Sequence, residues 1–104
     1  MIHVIASLKI RPGTIDALMD VYTDFLPQVR AEQGCIAYTP AVDHDTDIPT
    51  QRKEPDVVTI VELWESIEAF RAHLIAPHVI AYRERIKGIV ESVSIKVLDH
   101  VNGP

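Results

Sequence analysis

The chain has 104 residues, 47% hydrophobic and 24% charged, with a net charge of −5 and one cysteine. That is the length and composition of one globular domain with one continuous core. An acidic balance without a Lys/Arg cluster argues against nucleic acid or an anionic membrane as partner, and no apolar run nears the roughly 20 residues of a membrane span.

Met1 leads straight into a strand pattern with no basic segment or cleavage site before it, and Cys35 is alone; together these predict a reducing, cytoplasmic setting. From Ile2 to Ile10 the residues alternate, with Ile2, Val4, Ala6, Leu8 and Ile10 on one face and His3, Ile5, Ser7 and Lys9 on the other. Pro12-Gly13 ends this strand and Thr14 is suited to cap a helix. Ile15, Leu18, Met19, Tyr22, Leu26 and Val29 then recur at helical spacing, Pro27 predicts a kink rather than a stop, and Gly34 suits the residue that closes the helix. Cys35 to Val42 reads as a second strand, with Ile36, Tyr38 and Val42 sharing a face. Asp43 to Asp56 is polar, aperiodic and holds two prolines, so it predicts a loop.

Val57 to Trp64 is apolar at nearly every position, the pattern of a strand buried on both faces. Ser66 should cap a short helix carrying Ile67, Phe70 and Leu74, and Pro77 fits the first turn of another carrying Val79, Tyr82 or Arg83, Ile86 and Ile89. Glu91 to Leu98 makes a fourth strand, and His100 to Pro104 a frayed tail. The order β-α-β-β-α(α)-β predicts an α+β fold, a ferredoxin-like split βαβ with a four-stranded antiparallel sheet. Helices cover one face of such a sheet. The doubly apolar third strand implies that a second copy covers the other, giving a two-fold homodimer packed sheet to sheet.

The segment from Glu62 to His78 holds the single Trp and two of the five His, and most candidate chemistry lies there. His73, three residues after Phe70, sits near the core face and titrates in the range of a general base; the alternative is a buried imidazole bonded to backbone. His78, one residue into the next helix, could cap that turn or bond a nearby carboxylate. His73 and His78 are five apart with Pro77 between them, and no Cys or carboxylate stands at customary ligand spacing, so no metal site is expected. Trp64 shares a strand face with Glu62, as an aromatic wall for a substrate or as a core anchor. Glu62 is the one carboxylate in an apolar strand and requires a partner or a proton, with Arg71 or Arg83 the candidate cations. Tyr38 could bond a substrate oxygen or pack across strands, and Cys35 has no activating neighbour.

Gly34-Cys35-x-x-Tyr38, Glu62-x-Trp64, Ala69-x-x-x-His73-Leu74 and Pro77-His78, in this order across nearly the whole chain, resemble the antibiotic-biosynthesis-monooxygenase-like domains of the dimeric α+β barrel superfamily. The resemblance implies a pocket between sheet and helices, no metal or flavin cofactor, and a homodimer. It implies a monooxygenase of the quinol- or polyketide-oxidising type acting with O2 on a small aromatic substrate. His73, Trp64 and Glu62 would be catalytic, and Tyr38, His78 and Phe70 would bind substrate. An isomerase or other proton-transfer enzyme on a small carbonyl compound, and a non-catalytic ligand-binding dimer, are the alternatives. The haem-degrading relatives carry an Asn on the first strand where this chain has Ser7, which disfavours that activity; the long Asp43–Asp56 loop is a further departure from the pattern.

Overall fold

The computed structural model describes residues 1–102. Its elements follow the order β1 (Ile2–Ile10), α1 (Ile15–Arg30), β2 (Cys35–Ala41), β3 (Val57–Trp64), α2 (Ile67–Leu74), α3 (Pro77–Arg85) and β4 (Val90–Leu98). The strands form one antiparallel sheet in the order β2-β3-β1-β4, which is the ferredoxin-like arrangement the element order predicts. Between β2 and β3 the chain has neither helix nor strand, as the composition of Asp43–Asp56 requires.

The core lies between the sheet and the helices. Val4, Ala6, Leu8 and Ile10 of β1 and Val58, Ile60 and Trp64 of β3 face Leu18, Tyr22, Phe25 and Val29 of α1. The buried stripe of α1 is rotated from the one its sequence suggests. Val21 and Phe25 turn inward, while Ile15 and Met19 are exposed. The set 18, 21, 22, 25, 29 is the more continuous helical face, and the aromatic Phe25 buries more area than Met19 would. The helix runs through Pro27 to Arg30 without a break.

Three local expectations need correction. Thr14 holds the N-cap position of α1, but its side chain makes no capping bond and its hydroxyl donates to the Arg11 carbonyl at 2.6 Å instead. Gly34 does not close α1, which ends three residues earlier on Ala31 in a right-handed conformation. A register shift between Cys35 and Ala37 displaces the alternation of β2, leaving Ile36 and Val42 exposed and Tyr38 alone in the core. By contrast Ser66 caps α2 by accepting from the Ala69 N–H, and Pro77 opens α3. His100, expected in a frayed tail, meets His3 with Nε2 atoms 2.8 Å apart, and the last two residues of that tail lie outside the described residues.

Outside the helical layer, Val61 is 44% exposed, and Ile5 and Leu63 beside it are half-buried. Val93, Ile95 and Val97 of β4 pair with Leu8, Ala6 and Val4 and so face the helical side, yet they too are exposed, because the helices leave this edge strand uncovered.

Gly34 has a structural task other than capping. It sits at φ +85°, its carbonyl accepts from the Glu65 N–H at 2.8 Å, and a Cβ there would lie 2.5 Å from the Cβ of Ala69. The start of β2 is thereby pressed against α2. Gly34→Ala should destabilise by about 2 kcal/mol or more, from strain plus overlap, while Gly13→Ala, at φ +81° with open space around it, should cost about 1 kcal/mol. Urea unfolding of both variants checks the difference; equal losses would place the effect in the backbone angle alone.

Candidate active site

Antiparallel register decides what meets beneath the helices. Glu62 and Trp64, two apart on β3, share its inner face, and Tyr38 on β2 lies directly opposite Glu62. Phe70 and His73, three apart on α2, reach the same space from above, and α3 adds Tyr82 with Arg83 at the rim. These side chains line a cavity of about 250 Å³ whose remaining wall is aliphatic, from β1, β3, β4 and α3. Of the six residues singled out from the sequence, Tyr38, Glu62, Phe70 and His73 border this cavity.

Trp64 and His78 do not border it. Trp64 is fully buried behind Glu62, and its indole N–H donates to Glu62 Oε1 at 2.9 Å, so it is not an aromatic wall for a ligand. Its ring packs against that of His73, with centroids 4.8 Å apart. His78 turns instead to Glu32, which the sequence reading did not single out. Glu32 Oε2 meets His73 Nδ1 at 2.8 Å and His78 Nε2 at 2.7 Å. One carboxylate oxygen serving two imidazoles acts as acceptor for both, which puts the hydrogen of His73 on Nδ1 and leaves its Nε2 as a lone-pair base. No buried side-chain N or O among the described residues lacks a partner, so Nε2, which has none among them, is not fully enclosed, and His73 borders the cavity.

Glu62 has no Arg or Lys partner within the described chain. Among the described residues it makes no ion pair: Arg71 is exposed, and Arg83 donates to the Leu74 carbonyl at 2.7 Å. Burial pushes Glu62 up from 4.5 to about 7, helped by the charge of Glu32 and opposed by the Trp64 N–H. Burial also lowers His73 below its ordinary value, with Glu32 pulling the other way, so its neutral form is favoured. Burial pushes the phenol of Tyr38 up, and it is a donor rather than a base.

A larger hollow of about 580 Å³ lies between the 43–56 loop and the ends of β1 and β3. It touches none of the six sequence-selected residues, and two of its acids are already engaged: Asp43 accepts from the Glu54 N–H at 2.6 Å and Asp45 pairs with Lys53 at 2.5 Å. Four of those six residues border the smaller cavity instead.

The sequence profile described as antibiotic biosynthesis monooxygenase matches residues 1–85. The chain belongs to this family. It is 39% identical over 100 residues to the Escherichia coli K12 protein named "Probable quinol monooxygenase YgiN", covering 94% of this chain and 96% of that one. Among solved structures, an antibiotic biosynthesis monooxygenase superposes with a TM-score of 0.79 at 25% identity, covering 97% and 99% of the two chains. Protein SO0527 from Shewanella oneidensis gives 0.75 at 30% identity, covering 93% and 87%. The resemblance carried by the sequence motifs is thus borne out for family and fold.

The raised Glu62 has a consequence for stability. Between pH 4.5 and 7 the folded chain keeps a proton that the unfolded chain has lost, so this contribution is complete below 4.5 and disappears as pH rises through 7. The swing is about 3 kcal/mol for a shift of this size. Glu62→Gln, which can still accept from Trp64, should therefore gain melting temperature over the parent at pH 8 and little or none at pH 4.5. A constant difference across that range would show that Glu62 titrates normally.

Proposed function

We propose that this family member is a quinol monooxygenase that needs no metal or flavin, because its substrate is the reductant. The observation that carries the reading is a buried carboxyl, poised near neutrality and without a counter-ion, on the wall of an apolar cavity sized for one or two aromatic rings. The family match and the name of the 39% identical relative support it.

A quinol is a poor one-electron donor to O2 until it loses a proton. Glu62, charged in part at pH 7, takes that proton, and His73 Nε2 is the second acceptor beside it. The phenolate gives one electron to O2; the resulting pair combines in a C–O bond, and loss of water leaves a hydroxyquinone. Quinol plus O2 thus becomes hydroxyquinone plus water, with all four electrons accounted for. Phe70 packs on the ring, Tyr38 donates to a ring oxygen, and the aliphatic walls keep water from the intermediate. Trp64 and His78 act at one remove, Trp64 by holding Glu62 and His78 by holding Glu32.

In an oxygen electrode, a naphthoquinol should drive uptake of one O2 per quinol above the buffer rate. The rate should rise with pH through about 7 as Glu62 loses its proton. Glu62→Gln should lower kcat by about 10²–10⁴-fold and flatten that limb, with His73→Ala lowering it as well. Turnover without O2 would favour a proton-transfer enzyme on a carbonyl compound, and uptake indifferent to both variants would favour a binding protein.

The working form in this reading is a single-domain, cytoplasmic homodimer. Among the described residues no helix is long and apolar enough to cross a membrane. Val61 and Leu98, with Ile5 and Leu63, give the open sheet face an apolar patch that a second copy would cover. Light scattering at micromolar concentration should report twice the 11.7 kDa chain mass, and Val61→Glu should return it to one; an unchanged mass in the variant would move the contact elsewhere.

A further inference from the structure

Two phenols meet in the core with one hydrogen bond between them. Tyr22 Oη on α1 lies 2.8 Å from Tyr82 Oη on α3, and the residues are 1% and 8% exposed. Each phenol has one proton, and the bond uses one of the two. Among the described residues neither oxygen has another protein partner. Tyr22 does not border the cavity, so the only acceptor its buried proton can reach is the oxygen of Tyr82. Tyr22 therefore donates and Tyr82 accepts. The proton of Tyr82 is left without an acceptor among the described residues, and Tyr82 borders the cavity.

The Tyr82 ring is also fixed. Phe25 stacks on it with centroids 4.0 Å apart and planes 6° from parallel. A hydroxyl that accepts one bond becomes a better donor in the next, and a donor already held in place needs no reorganisation when charge appears in front of it. We infer that Tyr82 is the preset donor for the phenolate oxygen formed in the cavity, and that Tyr22 is the positioning residue that turns the Tyr82 O–H toward it. This rests on the quinol reading for the identity of the anion. Burial pushes both phenols up, so both remain protonated donors through the neutral range.

The test uses binding in the absence of turnover, with 4-nitrophenolate as the anionic probe and nitrobenzene as its uncharged counterpart. Tyr82→Phe should weaken 4-nitrophenolate roughly tenfold while leaving nitrobenzene unchanged, a loss equal to about one pKa unit of anion preference. Tyr22→Phe should weaken the anion less and in the same direction. Tyr22→Phe/Tyr82→Phe should match Tyr82→Phe alone, because Tyr22 acts only through Tyr82, and it should melt higher than Tyr82→Phe because no buried hydroxyl is left unpaired. If quinol turnover is present, Tyr82→Phe should lower kcat by roughly a hundredfold with little change in KM.

The inference is overturned if Tyr82→Phe binds the anion as the parent does, if both probes weaken equally in Tyr82→Phe and in the double variant, or if the parent binds no 4-nitrophenolate at millimolar concentration. Since binding is read without O2, a protein that fails as a monooxygenase but shows the anion-selective loss keeps the donor assignment. One that oxidises quinols with Tyr82→Phe intact in anion binding loses it.

Discussion

A carboxyl buried on β3 with no cation paired to it among the described residues organises this molecule. Glu62 occupies a position where the strand otherwise presents Val58, Ile60 and Trp64 to the helices, and the sheet gives it no Lys or Arg. A charge in that place is too poorly solvated to persist at ordinary carboxylate pH, so the group holds its proton until about pH 7. Glu32 is the contrasting case. It is only slightly less enclosed, but it has two imidazoles on one oxygen and accepts from both. The two carboxyls of one small site thus differ: one keeps its proton toward neutrality, while the other accepts from two imidazoles and so fixes the tautomer of His73. Glu32 acts on both neighbours, since its charge contributes to the rise at Glu62 and to the partial recovery of His73.

The element order was legible because it depends on local signals. The alternation of β1, the nearly continuous apolar run of β3, Ser66 before α2 and Pro77 at the start of α3 each report their own neighbourhood. The errors were local as well. Thr14 and Gly34 have the right chemistry for caps, but the chain uses Thr14 to bond back to Arg11 and Gly34 to let β2 approach Ala69. Periodicity alone sets the α1 stripe one step around the helix because Met19 and Phe25 are both apolar. The packing of Phe25 against Tyr82, 57 residues away in the chain, decides between them.

The site was half legible for the same reason. Glu62 stands out against its strand, and Trp64 two positions on shares its face, so their hydrogen bond follows from strand geometry once the strand is granted. Nothing local marks Glu32. It lies in a polar stretch after α1 and gains its role only when the end of α1 meets α2 and α3, with 41 and 46 residues separating it from His73 and His78. The Tyr22–Tyr82 pair, 60 residues apart, is hidden in the same way. Both phenols sit on helix faces that read simply as core, and the register of two helices on one sheet is what brings their oxygens together.

Chemistry in which the substrate supplies the electrons requires the protein to control only protons, dryness and position. Under the proposed function, the architecture divides these among elements that fold for other reasons. β3 delivers the carboxyl because its side chains alternate, and Trp64 holds it by the same alternation. α2 delivers His73 because Phe70, one turn earlier, is anchored in the core. α1 contributes no wall residue, yet Tyr22 on it and Glu32 two residues past its end set hydrogen positions on Tyr82 and His73. A substitution on the core side of α1 can therefore alter proton placement in a cavity that the helix does not touch. For this site, packing and acid–base chemistry are the same set of contacts.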